Sequence, residues 1–270
     1  MKCVHWATQS NSEDAVITVF CAVWHRQRSK LEWLKSHYEN LLRQSVPVRI
    51  VYVFDGGDTP PDWLNADVYV FSEPIAIYEA WSAAVGLCST QWVMNLNIDD
   101  RLATNAIELL LGTARASSAA LVCGEWEIEF GIDRVSSLFC APTSIETHFK
   151  PEWPPQSASG LRLGSGTGER KTFGPATLWN LEKIGKYYPS NFSNGDPIKS
   201  IGDALFWSLL QSSNERIIRL PMIIGRYLSE PSEQAEFRQH NDWESLKKYG
   251  LAQTCFADRL LSGEICISPR

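Results

Sequence analysis

Short hydrophobic runs recur through residues 16–100, and each run ends in a polar stretch. Near-continuous apolar runs rich in β-branched residues are typical of strands that are buried on both faces of a parallel sheet. The runs of this kind are residues 16–23, 48–54, 66–71 and 91–96. Segments with helical periodicity follow the first and third runs. The alternation predicts an α/β fold built from right-handed β-α-β units.

Residues 29–42 have the sequence pattern of an amphipathic helix. Ser29 followed by Glu32 is a capping-box signature, which places the start of a helix here. The apolar residues that follow recur at helical spacing and predict a stripe that packs on the sheet. The stripe consists of Leu31, Leu34, Tyr38, Leu41 and Leu42.

The second half of the chain has weaker patterns. They predict strands at 119–123, 126–130 and 217–224, and a helix that opens at residues 200–203. Residues 141–172 are rich in proline, glycine and serine, which predicts a long flexible loop. Two interpretations of this loop stay open: a mobile flap that offers Arg170 and Lys171 to phosphate, and a solvated insertion.

Polar side chains cluster where three of the predicted strands end. The clusters are Trp24-His25-Arg26, Asp55-Gly56 and Asn97-Ile98-Asp99-Asp100. Right-handed crossovers bring the carboxyl ends of parallel strands to one edge of a sheet, where open α/β sheets bind their ligands. We therefore expect these loops to face one another across a single crevice.

The adjacent carboxylates Asp99 and Asp100 suggest a cation site. Two like charges at the end of a buried strand repel each other and lose hydration unless a cation lies beside them. The alternative is that they cap the next helix or lie in a solvated turn.

Composition narrows the range of functions. A net charge of −6 over 270 residues argues against non-specific binding of nucleic acid. The seven cysteines are scattered and lack metal-binding spacing, which predicts reduced thiols in a cytoplasmic protein. No apolar run approaches the roughly 20 residues of a transmembrane helix, although peripheral contact with a membrane stays open. The 11 tryptophans suit either stacking on sugars and bases or packing in the core.

Several pieces of the chain resemble, in order and spacing, the motifs of the inverting GT-A glycosyltransferases of family 2. The pieces are Phe20–Arg26, Tyr52–Gly57, Ala76–Trp81, Asn97–Asp100, Phe173–Trp179 and Ile201–Trp207. The chain departs from the family pattern at three positions in these motifs, and Ser82-Ala83-Ala84 replaces the Asn-Lys-Gly that the family has after the third motif. His25 stands where the family has Asn, and Phe54 and Asn97 each stand where it has the first Asp of a motif.

This resemblance implies a GT-A (Rossmann-like) fold, with a mixed, mostly parallel sheet flanked by helices and a C-terminal helical extension. The polar start and the charged end of the sequence, together with this resemblance, predict a division of the chain. A lead-in at 1–15 precedes a single domain at 16–230, and a charged helical tail at 231–270 packs on the outside. Within the domain, residues 16–100 would form the nucleotide-sugar-binding half and residues 101–230 the acceptor half.

The resemblance further implies an inverting transfer of a sugar from a nucleotide-diphospho-sugar, favouring a UDP-sugar, to a hydroxyl of a glycan or lipid-linked acceptor. Mn²⁺ or Mg²⁺ would bind Asp99 and Asp100, and Asp203 would act as the general base. The donor would contact Ala22, Trp24, Arg26, Asp55, Gly56, Asn97 and Asp99. The acceptor would contact Trp179 and Trp207.

Three alternatives remain at this point. The altered positions Phe54, Asn97 and Ala83 are also compatible with a degenerate domain that binds a nucleotide sugar or glycan without turnover. A sugar-phosphate nucleotidyltransferase fits less well, because residues 24–28 lack the glycines that its first loop requires. Asp203 itself could be a structural residue of a helix cap that begins at Ser200.

Overall fold

The structure is a computed structural model that describes residues 1–7, 14–141, 161–163, 173–229 and 240–270. Its strands are β1 (Cys3–Trp6), β2 (Ile17–Val23), β3 (Arg49–Phe54), β4 (Asp67–Phe71), β5 (Trp92–Asn95), β6 (Arg101–Leu102), β7 (Leu121–Glu129), β8 (Leu161–Leu163), β9 (Leu178–Asn180), β10 (Ile217–Leu228) and β11 (Ile267–Pro269). Its helices are α1 (Lys30–Leu42), α2 (Ile77–Leu87), α3 (Ala106–Ser117), α4 (Ile132–Ser136), α5 (Leu181–Ile184), α6 (Gly202–Ser212), α7 (Asp242–Tyr249) and α8 (Phe256–Leu261).

All these strands belong to one mixed sheet in the order β11-β1-β4-β3-β2-β5-β9-β7-β10-β6, with β8 paired to β7. Strands β4, β3, β2 and β5 are mutually parallel. Strand β9 runs antiparallel to both β5 and β7, and β7 is parallel to β10. Six strands therefore point the same way, and their carboxyl ends share one edge, which we call the carboxyl edge. The mixed, mostly parallel α/β sheet agrees with the fold class that the sequence predicts.

Helices cover both faces of the sheet. Alternate residues of a strand point to opposite faces, so Val19 and Cys21 lie in one core and Phe20 in the other. The first core contains the inward residues of α1 and α3, and the second contains those of α2, α6 and α8. The near-continuous apolar runs are explained by this burial on two sides.

The start of α1 differs from the prediction. Ser29 adopts a left-handed conformation with φ of 48°, and its side chain makes no capping hydrogen bond. Leu34, Tyr38 and Leu41 are buried, whereas Leu31 and Leu42 are 57% and 61% exposed. Leu42 lies about 100° around the helix from Leu41, and Leu31 lies in the first turn, at the carboxyl edge. The inward stripe is consequently narrower than predicted.

The segment 119–130 contains a single strand, β7, where the sequence predicts two. Strand β7 runs through Gly124 without a break, parallel to β10 and antiparallel to β8 and β9. A Cβ at Gly124 would lie 2.7 Å from the Ile224 side chain, so the glycine allows β10 to pack closely. The interruption of the apolar pattern at Gly124 therefore reflects the close approach of β10 to β7, and the chain makes no turn there.

Both ends of the chain are part of the sheet and core, which contradicts the predicted lead-in and external tail. Cys3 is 1% exposed, and β1 pairs antiparallel with β4. Strand β11 pairs with β1, and Phe256 of α8 is buried against α2. Most of the predicted loop at 141–172, including Arg170 and Lys171, lies outside the described residues. None of the helices in the described ranges has the length and apolarity that crossing a membrane requires.

Candidate active site

Three adjacent strands bring the predicted donor-side loops together at the carboxyl edge. Strand β2 lies between β3 and β5, with Val23 opposite Phe54 and Phe20 opposite Asn95. Neighbouring strands lie about 4.8 Å apart, so the ends of β3 and β5 are separated by roughly 10 Å. This spacing places the Asp55 loop and the Asn97 loop on either side of the Trp24 loop.

Asp55 ties the loops after β2 and β3 to the segment that precedes α2. The carboxylate is 4% exposed. Its Oδ1 accepts from the His25 amide at 2.7 Å, and its Oδ2 lies 2.9 Å from His25 Nδ1 and 3.3 Å from the Ile75 amide. Gly56 has a φ of +64°, and a Cβ there would lie 3.0 Å from the His25 ring. The predicted donor residues Asp55 and Gly56 therefore fix the position of His25.

The other residues predicted to bind the donor on this side surround the same loop. Trp24 is 42% exposed, and its ring meets the His25 ring edge-on at 6.0 Å. Arg26 is exposed and Ala22 is half-buried. Two of the three are thus accessible to a ligand at the carboxyl edge.

The acidic loop after β5 is a tight turn in which burial increases along the chain. The Asp100 amide donates to the Asn97 carbonyl at 3.1 Å. Asn97 and Asp99 are half-buried, whereas Asp100 is completely buried. Burial raises the pKa of Asp100 well above its ordinary value, and the charge of Asp99 raises it further. The Leu228 amide and the Arg101 and Asn97 side chains oppose this shift.

Arg101 is an important residue of this loop that the sequence did not single out. The guanidinium is buried, and its Nη1 donates to the carbonyls of Ile98 and Asp100 at 2.8 and 2.6 Å. Its Nη2 donates to the Trp33 carbonyl of α1 at 3.2 Å. Arg101 thereby holds the main chain on both sides of Asp99. The signal in the sequence is an arginine placed directly after two adjacent carboxylates.

The loop has the chemistry of a site for a hard divalent cation, although its donor set is small. The described residues contain no group of three or more His, Cys, Asp or Glu side chains placed to hold a metal ion. Asp100 Oδ2 is buried and has no hydrogen-bond partner among those residues. In its ionised form a buried carboxyl group in that condition is costly, so it either takes up a proton or pairs with a cation. Together with Asp99 and Asn97 it could supply oxygen ligands of the type that Mg²⁺ and Mn²⁺ prefer.

Asp203 lies in the first turn of α6, beside the start of α2. Its Oδ1 accepts from the Tyr78 hydroxyl at 3.2 Å and from the Ala204 amide at 2.8 Å. Burial raises the pKa of Asp203, and these two hydrogen bonds partly offset the increase. Ile201 is the N-cap of α6, and the Ser200 hydroxyl donates to Asp242, so Asp203 does not belong to a cap formed by Ser200.

Two further residues hold the start of α6, and the sequence indicated neither. A Cβ on Gly202 would lie 2.4 Å from the Tyr78 ring, so α6 and α2 approach each other closely here. Asp242 of α7 is 6% exposed, and its Oδ2 accepts from the Lys199 and Ser200 amides at 2.9 and 2.7 Å. The Asp203 carboxylate is consequently positioned by α2 and α7 as well as by its own helix.

The two tryptophans predicted to contact the acceptor have different environments. Trp179 is 1% exposed and packs between Phe20 and Phe206, with ring centroids at 5.9 and 5.2 Å. It is a core residue, and its predicted contact with an acceptor is wrong. Trp207 is half-buried and lies one helical turn beyond Asp203, with its ring against Phe173 at 6.0 Å.

The start of α2 connects the donor-side and acceptor-side groups. Asp55 accepts from the Ile75 amide and Asp203 from the Tyr78 hydroxyl, and these two donors are three positions apart. Glu79 in the first turn accepts from the Ala76 amide at 2.9 Å. Since α2 follows the parallel strand β4, its first turn lies at the carboxyl edge.

Comparison with solved structures finds the same fold in TarS of S. aureus. TarS 1-349 matches with a TM-score of 0.55 and 14% identity over 88% of this chain and 67% of that one. Its complex with UDP-GlcNAc matches with a TM-score of 0.54 and 14% identity over 79% of this chain and 58% of that one. A longer TarS structure matches with a TM-score of 0.53 and 15% identity over 90% of this chain and 41% of that one.

No family model matches the sequence, and neither does any curated protein. The structural likeness therefore identifies the fold, and the activity has to be argued from the residues at the carboxyl edge. The sheet order and the flanking helices agree with this likeness: the chain has a mixed, mostly parallel Rossmann-like fold of the GT-A type.

Proposed function

We propose that the protein is an inverting glycosyltransferase that moves a sugar from a UDP-sugar to a hydroxyl of a glycan or lipid-linked acceptor. The observation that carries the proposal is that Asp55 and Asp203 both bind the start of α2 at the carboxyl edge. Asp55 accepts from the Ile75 amide just before the helix, and Asp203 accepts from the Tyr78 hydroxyl in its first turn. The shared fold supports it, since TarS has been crystallised with UDP and with UDP-GlcNAc. The chain spans less than two thirds of those two structures.

On the donor side, the leaving diphosphate needs positive charge nearby. We propose that Asp99 and Asp100, with Asn97, hold Mn²⁺ or Mg²⁺, which when bound would neutralise charge on the diphosphate oxygens. The buried Asp100 oxygen without a hydrogen-bond partner among the described residues supports this assignment. Arg101 would keep the loop in place through its bonds to main-chain carbonyls.

On the acceptor side, Asp203 would take the proton from the acceptor hydroxyl as that oxygen attacks the anomeric carbon. A carboxylate whose pKa is raised by burial is a stronger base than an exposed one, and it stays oriented by Tyr78 and Ala204. Trp207, one turn further along α6, would support the acceptor sugar. Attack from the face opposite the nucleotide inverts the anomeric configuration.

Donor binding is tested by calorimetry with UDP, CDP, GDP and ADP, each with and without Mn²⁺. We expect UDP to bind most tightly and Mn²⁺ to strengthen its binding. The Asp99→Asn variant should lose the effect of Mn²⁺, whereas Asp133→Asn, the same change at an exposed carboxylate of α4, should behave as the wild type. A chain that binds no nucleoside diphosphate at all would not be a glycosyltransferase of this kind.

Turnover is tested by following UDP release from UDP-GlcNAc, with water as the acceptor when no sugar acceptor is supplied. Proton NMR at early times should show release of the β-anomer from this α-linked donor. Asp203→Asn should retain UDP binding and lose turnover by roughly 100-fold or more, the contribution typical of a general base. Retention of the α-configuration would rule out the inverting mechanism.

The same measurements separate the proposal from a domain that binds without catalysis. Asn97 supplies a neutral amide where the family-2 glycosyltransferases have a carboxylate. A cation bound here would therefore have one negative charge fewer among its ligands. UDP binding that depends on Asp99, combined with no detectable release of sugar from UDP-GlcNAc and a panel of other UDP-sugars, would favour the binding domain.

A further inference from the structure

The environment of Asp55 leaves it little capacity to contact a ligand directly. Both carboxylate oxygens already accept hydrogen bonds, Oδ1 from the His25 amide and Oδ2 from the His25 ring and the Ile75 amide. The residue is 4% exposed, so its remaining lone pairs are enclosed by protein. A nucleotide at the carboxyl edge would therefore meet the side chain that Asp55 holds.

The bond to Asp55 determines which nitrogen of His25 can act on a ligand. An ionised carboxylate only accepts, so Nδ1, at 2.9 Å from Asp55 Oδ2, carries the proton of the neutral ring. Nε2 then presents a lone pair. Within the described part of the chain, Nε2 makes no hydrogen bond that would occupy it, and the His25 side chain is 23% exposed.

The His25 ring has little freedom to turn away. Its carbons lie against Gly56, where a Cβ would come within 3.0 Å, and the Trp24 ring meets it edge-on at 6.0 Å. The Lys30 ammonium donates to the His25 carbonyl at 3.3 Å, which also anchors the main chain. The acceptor nitrogen is thus preorganised beside the exposed face of Trp24.

We propose that His25 Nε2 accepts a hydrogen bond from the N3–H of a uracil base, that Trp24 supports the base, and that Asp55 acts as a positioning residue through His25. The inference deepens the proposed function and rests on it. Uracil carries a hydrogen on N3, whereas cytosine presents a lone pair there, so the neutral ring favours uracil over cytosine. The histidine at this position thereby selects the nucleotide.

Calorimetry with UDP and CDP on the full chain tests this assignment. Loss of one buried or charge-supported hydrogen bond weakens binding by roughly 10- to 100-fold. We expect His25→Ala to weaken UDP by this factor and to leave CDP nearly unchanged, and His25→Gln to recover part of the loss through its side-chain oxygen. His240→Ala, at an exposed histidine, is the matched control.

A double-mutant cycle separates the role of Asp55 from that of His25. If Asp55 acts through His25, Asp55→Ala weakens UDP as His25→Ala does, and the double variant is no weaker than His25→Ala. Further weakening of the double variant would mean that Asp55 acts on the nucleotide by a route other than the His25 ring, and the assignment of Asp55 would be overturned. Wild-type affinity for UDP in His25→Ala would overturn the assignment of His25 as well.

A second measurement observes the His25 ring directly in the wild-type protein. The chain has five histidines, so ¹⁵N–¹H correlations of the imidazole rings can be assigned by difference with His25→Ala. Saturation with UDP should shift the His25 Nε2 resonance upfield while Nδ1 stays protonated. An unchanged Nε2 resonance in the UDP complex overturns the assignment alone, whereas failure of the wild type to bind UDP removes the proposed function and this inference together.

Discussion

The contact between Gly202 and Tyr78 allows a sharp test of how the Asp203 carboxylate is held. A Cβ on Gly202 would lie 2.4 Å from the Tyr78 ring, whereas carbon atoms at rest lie about 3.5–4.0 Å apart. The ring is 7% exposed and has Trp81 and Tyr188 at centroid distances of 5.6 and 6.3 Å, so it has little space into which to move. Gly202→Ala must displace α6, α2 or both.

The expected cost follows from this overlap. Overpacking a buried site costs about 1–3 kcal/mol, of which the better helix propensity of alanine recovers at most about 1 kcal/mol. Gly112, inside α3, has no atom within 4 Å of its virtual Cβ. Gly112→Ala should therefore stabilise the protein by about 0.5–1 kcal/mol. The two variants make the same chemical change in a helix, but Gly202→Ala is expected to lower the free energy of unfolding and Gly112→Ala to raise it.

The consequence for activity comes from the Tyr78 hydroxyl, which donates to Asp203 at 3.2 Å. Thermal and urea unfolding measure the stability difference between the variants, and UDP release from UDP-GlcNAc measures turnover. We expect Gly202→Ala to bind UDP normally and to lose turnover, whereas Gly112→Ala keeps both. If Gly202→Ala were as stable and as active as Gly112→Ala, the close contact would not be what positions Asp203.

Three further predictions concern the charges around the site. Asp242→Ala leaves the Lys199 and Ser200 amides without their acceptor, which should lower the free energy of unfolding by at least about 2 kcal/mol. The variant should lose turnover and keep its affinity for UDP. Unchanged turnover would show that α7 has no positioning role. Tyr78→Phe removes a hydrogen bond that lowers the pKa of Asp203, so the acidic limb of the plot of kcat against pH should move to higher pH. If the acidic limb does not move, Asp203 is not the general base. Because burial raises the pKa of Asp100, the folded state binds more protons than the unfolded state above the ordinary value of 3.8. Its contribution to stability is therefore lost as the pH rises from that value through the folded pKa. Asp100→Asn should show a smaller loss of stability between pH 5 and pH 8 in urea titrations, and an equal loss would place the effect elsewhere.

The predictable part of this fold is the part that local patterns encode. Burial on two faces requires continuous apolar strands, and such runs are visible in the sequence at 16–23 and 48–54. The handedness of the crossover then places their carboxyl ends together. For that reason the sequence alone places Asp55 and Asn97 at the same edge of the sheet.

Trp179 shows where local patterns fail. A tryptophan beside a strand gives the same sequence pattern whether its side chain packs in the core or faces a ligand. For Trp179, the contacts with Phe20 and Phe206 show that it packs in the core. Strand β7 fails for a related reason. Gly124 resembles a break in the sequence, but it is required by the approach of Ile224 from a distant strand.

The sequence by itself determined the alternation of strands and helices in residues 16–100, the polar loops at the ends of those strands and the presence of carboxylates at Asp55, Asp99 and Asp203. Only the tertiary structure decided what each carboxylate does. Asp55 is bound to His25, Asp100 is buried, and Asp203 is positioned by α2 and α7. The physical reason is that hydrogen-bond geometry and burial, which set the availability and pKa of a carboxylate, depend on partners up to 128 positions away.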